Sequence, residues 1–195
     1  MPRLGMEPIR RAALVEATIA EIGRLGSLDV TVGQIAKRAG VSAALAHHYF
    51  GGKETLLLAA MRHALSAYGA EVRARLSRAE GHRARLEAIV GASFSEMNFC
   101  RDTIATWLNL YVLAQRSDEA MRLLRIYRHR MRSNLLHELK PLLGERTRAE
   151  TGAECVAAMI DGIYLHEALH EAPPTPGAAC AQVSGYLDLL IGDAA

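Results

Sequence analysis

An all-α fold follows from three features of this sequence. Alanine, leucine and arginine, all good helix formers, are prominent among its 195 residues. No alternating β-branched run bounded by turn residues occurs. Half of the residues are hydrophobic and only six are proline, so long helices can close around a sizeable core and disorder is not expected over most of the chain. The architecture expected is about nine helices: a three-helix head over residues 1–52 and a larger helical body over residues 53–195.

The head comes first. Pro8 suits the first turn of a helix, and Leu14, Ala17, Ile22 and Leu25 recur at helical spacing up to a stop at Gly26, which predicts a helix over 8–25. Thr31 is an N-cap and Gln34, three positions on, completes a capping box, so a second helix runs over 32–39. Gly40 supplies the left-handed residue that ends it, and Ser42 caps a third helix over 43–49. Ile35, Ala36, Ala39, Val41, Ala46 and Phe50 form a small shared core. This is a helix-turn-helix, with Ser42 to Tyr49 as the recognition helix. Ala-Gly-Val-Ser alone fits any helix corner, whereas the full stretch 31–53 adds His47, His48, Tyr49 and Lys53 where a phosphate backbone would lie. The partner expected is double-stranded DNA.

Gly51-Gly52 separates the recognition helix from a bridging helix over 53–78. The body continues with helical patterns near 82–100, 103–116, 118–140, 146–171 and 176–191. Asp102 and Ser117 are candidate caps, Pro141 and Gly144 form a break, and Pro173-Pro174-Thr175-Pro176 parts the last two helices. That last pair is rich in apolar residues: Val156, Ala157, Ile160, Ile163, Val183, Leu187, Leu190 and Ile191. They fit either a homodimer through a four-helix bundle or an ordinary internal core.

Net charge is only +2, so a nucleic-acid footprint has to be local. The first 11 residues carry Arg3, Arg10 and Arg11 against the single acid Glu7, and Lys37, Arg38 and Lys53 add to the same quarter. Cys100, Cys155 and Cys180 form no paired spacing, which excludes a disulfide framework or zinc ribbon and reads as buried thiols of a cytosolic protein. No signal peptide and no apolar run of about 18 residues is visible, so a cytoplasmic protein without a membrane partner is expected.

Ile35-Ala-Lys-Arg-Ala-Gly-Val-Ser42, followed by His48-Tyr49-Phe50 and Lys53, resembles the signature of TetR-type repressors. The opening Met-Pro-Arg-Leu-Gly-Met with Ile9-Arg10-Arg11 resembles the BetI-type, choline-responsive repressors of glycine betaine synthesis. So do Arg85–Gly91, Arg132–Leu139 and Ala158–Leu165. The resemblance implies a dimeric repressor with a ligand-binding body. It places Thr31, Ser42, His48, Tyr49 and Lys53 on phosphates, and Ala43, Ala44, Leu45 and His47 against base edges. Two alanines and a leucine offer no bidentate hydrogen bond, so direct readout rests on thymine methyls and His47. Arg3, Arg10 and Arg11 add minor-groove or phosphate contacts and shift specificity towards groove shape.

Choline, the effector this resemblance implies, carries a quaternary ammonium with no donor on its nitrogen, so its site needs aromatic faces and a nearby carboxylate. Among only ten aromatics, Trp107 and Tyr111 sit four apart on one helix face, and Asp161 and Tyr164 sit three apart on another. Together they line one ligand pocket, or else Trp107 and Tyr111 are plain core and Asp161 pairs with an arginine. A different cationic or apolar effector is the alternative.

His166-Glu-Ala-Leu-His170 matches the zinc-protease motif literally. The elongated form of that motif needs glycine and histidine at 173 and 176, where this chain has prolines, and no histidine or glutamate follows Glu171. A zinc hydrolase is therefore a remote alternative; no enzyme activity, metal or cofactor is expected. A helical scaffold would leave the basic N-terminus beside paired caps unexplained.

Overall fold

The first helix, α1 (Met6–Leu25), holds Pro8 in its opening turn and ends at Gly26, whose φ of 63° lets its N–H reach the Ile22 carbonyl. It begins the computed structural model of the protein, which describes residues 5–192. Among the described residues there are nine helices and no strand. Next come α2 (Val32–Arg38) and α3 (Ala43–Phe50). The capping box forms as the sequence predicts: Thr31 Oγ1 accepts from the Gln34 N–H at 3.2 Å, and Gln34 Oε1 accepts from the Thr31 N–H at 2.8 Å. Gly40 has φ 68°, and Ser42 Oγ accepts from the Leu45 N–H at 3.2 Å. Each such cap contributes about 1 kcal/mol, a large share of what holds a two-turn helix.

The bridging helix α4 (Lys53–Leu76) joins two hydrophobic cores. Leu56 and Leu57 pack with Leu14, Ile22, Val30, Ile35 and Ala46 in the head. Leu58, Met61, Tyr68 and Val72 enter the body core. The body then adds α5 (His82–Ser93), α6 (Arg101–Ala114), α7 (Asp118–Leu143), α8 (Arg146–Ala168) and α9 (Pro176–Gly192).

Four expectations are corrected. The helix expected over 82–100 stops at Ser93, because Asn98 turns back and its side-chain amide donates to the Ala92 carbonyl at 2.9 Å. Phe94 and Phe99 of this turn are buried and pack edge to face at 5.0 Å, which is why the stretch looked helical. Asp102 is not a cap: α6 starts from Cys100, and Asp102 lies in the first turn. Pro141 does not break α7, which runs on to Leu143; in the last turn a proline costs a single backbone hydrogen bond, and Gly144 at φ 70° makes the stop. The three cysteines are half-buried rather than buried.

Of the apolar residues on the last two helices, Val156, Ile160, Val183 and Leu187 are enclosed in the chain's own core. Ala157, Ile163, Leu190 and Ile191 are half-buried against it. Leu165 and Leu189 are the large apolar side chains that α8 and α9 leave exposed.

Candidate functional site

The recognition helix turns its chemistry outward. Thr31, Ser42, Ala43, Ala44, His47 and His48 are exposed, while Leu45, Tyr49 and Lys53 are half-buried. His47 Nδ1 lies 3.4 Å from the Gly51 carbonyl, and His48 tilts against Tyr49 at 5.6 Å. Arg3 lies outside the described residues. Arg10 is half-buried on α1.

Arg11 sits elsewhere than in a free arm. Its Nη1 donates to the Tyr49 carbonyl at 2.6 Å, its Nε pairs with Glu7 at 2.8 Å, and its guanidinium lies 5.0 Å from the Tyr49 ring and 5.3 Å from the Phe50 ring. It ties the last turn of the recognition helix to α1. A second clamp is centred on Glu21, which is buried and receives Arg24 at 2.7 Å and Arg38 at 3.0 Å. The hydrogen bond from Arg24, joined by Arg38, holds the Glu21 carboxyl below its ordinary range against the opposing effect of burial. Arg38 thus helps hold α2 to α1.

In the body, Trp107, Tyr111, Asp161 and Tyr164 come together around one small space. Tyr68, Ser93, Tyr127 and Ile160 complete it. Asp161 Oδ1 accepts from the Tyr111 hydroxyl at 2.9 Å and from the Tyr127 hydroxyl at 3.3 Å, so its hydrogen-bond partners are tyrosines, with Arg128 near enough to act on it by charge. Burial raises the Asp161 carboxyl above its ordinary value, and the two tyrosine hydrogen bonds only partly offset this. Burial likewise raises Tyr111 and Tyr127, and pushes Tyr68 up to about 12.

The walls are rings. Trp107 stands 4.6 Å from Tyr127, and Tyr68 meets Tyr127 edge-on at 5.7 Å. Tyr164 is fixed from outside, its hydroxyl shared between the carbonyls of Ser93 at 2.6 Å and Asn98 at 3.0 Å. The enclosed volume is about 10 Å³, room for one water molecule. Tyr127 was missed because it stands on α7 with no aromatic or acidic partner three or four residues away, and Tyr68 because its only such neighbour on α4, Glu71, pairs with Arg75 instead. Their scarcity was the available signal: six tyrosines in the whole chain, four of them in this box.

The same helix that carries Trp107 and Tyr111 supports the head. Gly23 of α1 crosses α6 so closely that a Cβ there would lie 2.6 Å from the Asp102 Cα. Asn109 Nδ2 reaches the Gly26 carbonyl at 3.3 Å and the Ala105 carbonyl at 2.8 Å. Burial raises the Asp102 carboxyl, with Arg38 of α2 pulling it the other way.

The zinc motif comes apart in three dimensions. α8 ends at Ala168, so His170 lies past the helix end and does not share a helix face with His166. Among the described residues no group of three potential ligands gathers around a common point.

Comparison with known proteins settles the lineage. Residues 14–60 match the family described as bacterial regulatory proteins, tetR family, and residues 82–192 match the BetI-type transcriptional repressor, C-terminal domain. The chain belongs to the TetR family, in its BetI-type branch. The HTH-type transcriptional regulator BetI of Brucella anthropi is 51% identical over 99% of this chain and 100% of its own length. Its counterpart in Agrobacterium fabrum is 49% identical over 98% and 92%. A transcriptional regulator of Pseudomonas aeruginosa superposes with a TM-score of 0.80 at 28% identity, covering 97% of this chain and 93% of that one. A regulator from Saccharomonospora viridis, solved in complex with choline, shares the fold with a TM-score of 0.81 at 19% identity over 93% and 97%. This BetI-type chain is a ligand-responsive, DNA-binding transcriptional repressor and not an enzyme. No described helix is long and apolar enough to cross a membrane.

Proposed function

We propose that this BetI-type repressor controls choline-to-glycine betaine genes, and that choline acts through the box around Asp161. The observation that carries the reading is a carboxylate held by two tyrosine hydroxyls and walled by Trp107, Tyr68 and Tyr164. A trimethylammonium head is attracted to both elements, the ring faces by about 0.5–2 kcal/mol each and the carboxylate by charge. The choline bound in the Saccharomonospora neighbour supports the same ligand class.

A volume of about 10 Å³ is too small for that head. Choline therefore binds only a conformation in which the rings have parted, and this difference in affinity between two states is what a ligand-driven change requires. Parting the rings displaces α6, and α6 carries Asp102 and Asn109 against the end of α1.

On DNA, Ala43, Ala44, Leu45 and His47 face base edges, while Thr31, Ser42, His48, Tyr49, Lys53 and Arg10 lie on or near phosphates. Arg11 acts indirectly, by holding the Tyr49 end of α3. A homodimer through the outer faces of α8 and α9, where Leu165 and Leu189 are exposed, spaces two heads by about 34–36 Å for successive major grooves. Affinity then falls by about 0.9 log unit per log unit of salt for each phosphate neutralised.

The test is a gel shift on the DNA upstream of the protein's own gene, with choline, betaine aldehyde and unrelated cations added in turn. A retarded band that choline alone changes is the expected result. No band, or a band indifferent to choline, rejects the reading.

A further inference from the structure

A second cavity adjoins the box on the other side of the Tyr68–Tyr127 pair. It is a groove of about 360 Å³ between α4 and α7, within the size range of small-molecule sites. Its floor is apolar, made by Val72, Leu65, Leu76 and Ile126 with the two tyrosine rings. Its polar edge carries two guanidinium groups, Arg73 and Arg130, and no carboxylate lines it.

Several arginines elsewhere on this chain are paired with acids, among them Arg75 with Glu71, Arg83 with Glu87 and Asp188, and Arg85 with Glu138. Among the described residues, Arg73 and Arg130 have no such partner. Arg73 is also folded back over its own helix. Its Nη1 lies 3.4 Å from where a Cβ of Gly69 would stand, and Gly69 is itself part of the groove wall.

From these observations we infer that the α4–α7 groove is a second ligand site, taking an amphiphile with one anionic head on an apolar chain. The head lies between Arg73 and Arg130, and the chain lies on Val72, Leu76 and Ile126. Choline would be repelled here by both cations, so the two cavities select opposite charges. The inference does not depend on the choline reading, because none of its charged groups belongs to the box.

The ligand source is read from the head group. Decanoate and decyl phosphate share this chemistry and are titrated separately into the full-length protein by calorimetry, which distinguishes a fatty acid from a phosphorylated amphiphile. Trp107, the single tryptophan, stands 4.6 Å from Tyr127 and reports the event by its emission. Saturable binding of either anion is expected, at least tenfold weaker in the double variant Arg73→Gln/Arg130→Gln. Ile126→Glu, which places an acid in the groove, gives the same loss by a surface change elsewhere in the wall. The proposal is overturned if neither anion binds, if the uncharged decanol binds as tightly, or if both variants bind the anions like the parent. Choline titrated into the same proteins reports the box separately, so its failure and that of the groove are distinguishable.

Discussion

The head keeps the side chains proposed to meet DNA in solvent and buries the scaffold behind them, whereas the body buries the side chains proposed to meet the ligand. In the head, Ala43, Ala44, His47 and His48 point outward from a helix held by Ser42, Arg11 and a core of Ile35 and Ala46. In the body, Trp107, Tyr127 and Tyr164 are the core, and the same rings that stabilise the fold line the candidate box. The difference follows from the partners. A duplex is too large to be enclosed and has to be met by a surface formed beforehand, while a small cation gains most where water is excluded.

The comparison breaks most visibly at Trp107. Trp107→Ala removes a core ring and costs about 3–5 kcal/mol of stability. Thermal melting should register that loss, and a gel shift at a temperature where the variant is folded should show DNA binding without a choline response. If the choline response survives, the ring is core alone and the box is no sensor. Ser42→Ala is the opposite case, with an expected cost of about 1 kcal/mol confined to α3. Here DNA affinity falls while choline binding, followed by calorimetry, stays as in the parent. Loss of both would mean that head and body do not separate as described.

The smallest effect is one of pH. Burial raises Asp161, so its proton is taken up at a pH above the ordinary aspartate range. The sign for stability is that folding is favoured as pH falls through this raised value, and the cost of the buried charge is fully present above it. Choline needs the charged form, so its affinity should decline over the same descent in pH. Calorimetry at stepped pH checks this, and Asp161→Asn should bind choline weakly at every pH, with no further decline.

The two regions also differ in how much of them was legible from the amino-acid order. The head was legible because its determinants are local: Thr31 to Gln34, Gly40 and Ser42 to Leu45 act over three or four residues, the range over which caps and turns work. Arg11 was misplaced for the complementary reason, since its partner Tyr49 is 38 residues away. The box is assembled from α4, α5, α6, α7 and α8. Pairs on one helix, Trp107 with Tyr111 and Asp161 with Tyr164, could be found by spacing. Tyr68 and Tyr127 could not, because only packing brings them together. The same limit let a turn at Phe94 to Phe99 pass as helix, and put His166 and His170 on one helix face although the helix ends between them.

The crossing of Gly23 over Asp102 has a mechanical consequence. Because Gly23 has no side chain, α1 bears closely on Asp102 of α6, on its carboxylate and its Cα alike. Soft contacts absorb small motions, and this one has little slack to do so. Asp102 lies five residues from Trp107 and nine from Tyr111, or about 7 and 13 Å along the helix. A tilt of α6 about the crossing is therefore felt at both ends of a short, stiff lever. Any larger residue at Gly23 would force the two helices apart, and on the reading proposed above it would leave a repressor that grips its operator and is deaf to its signal.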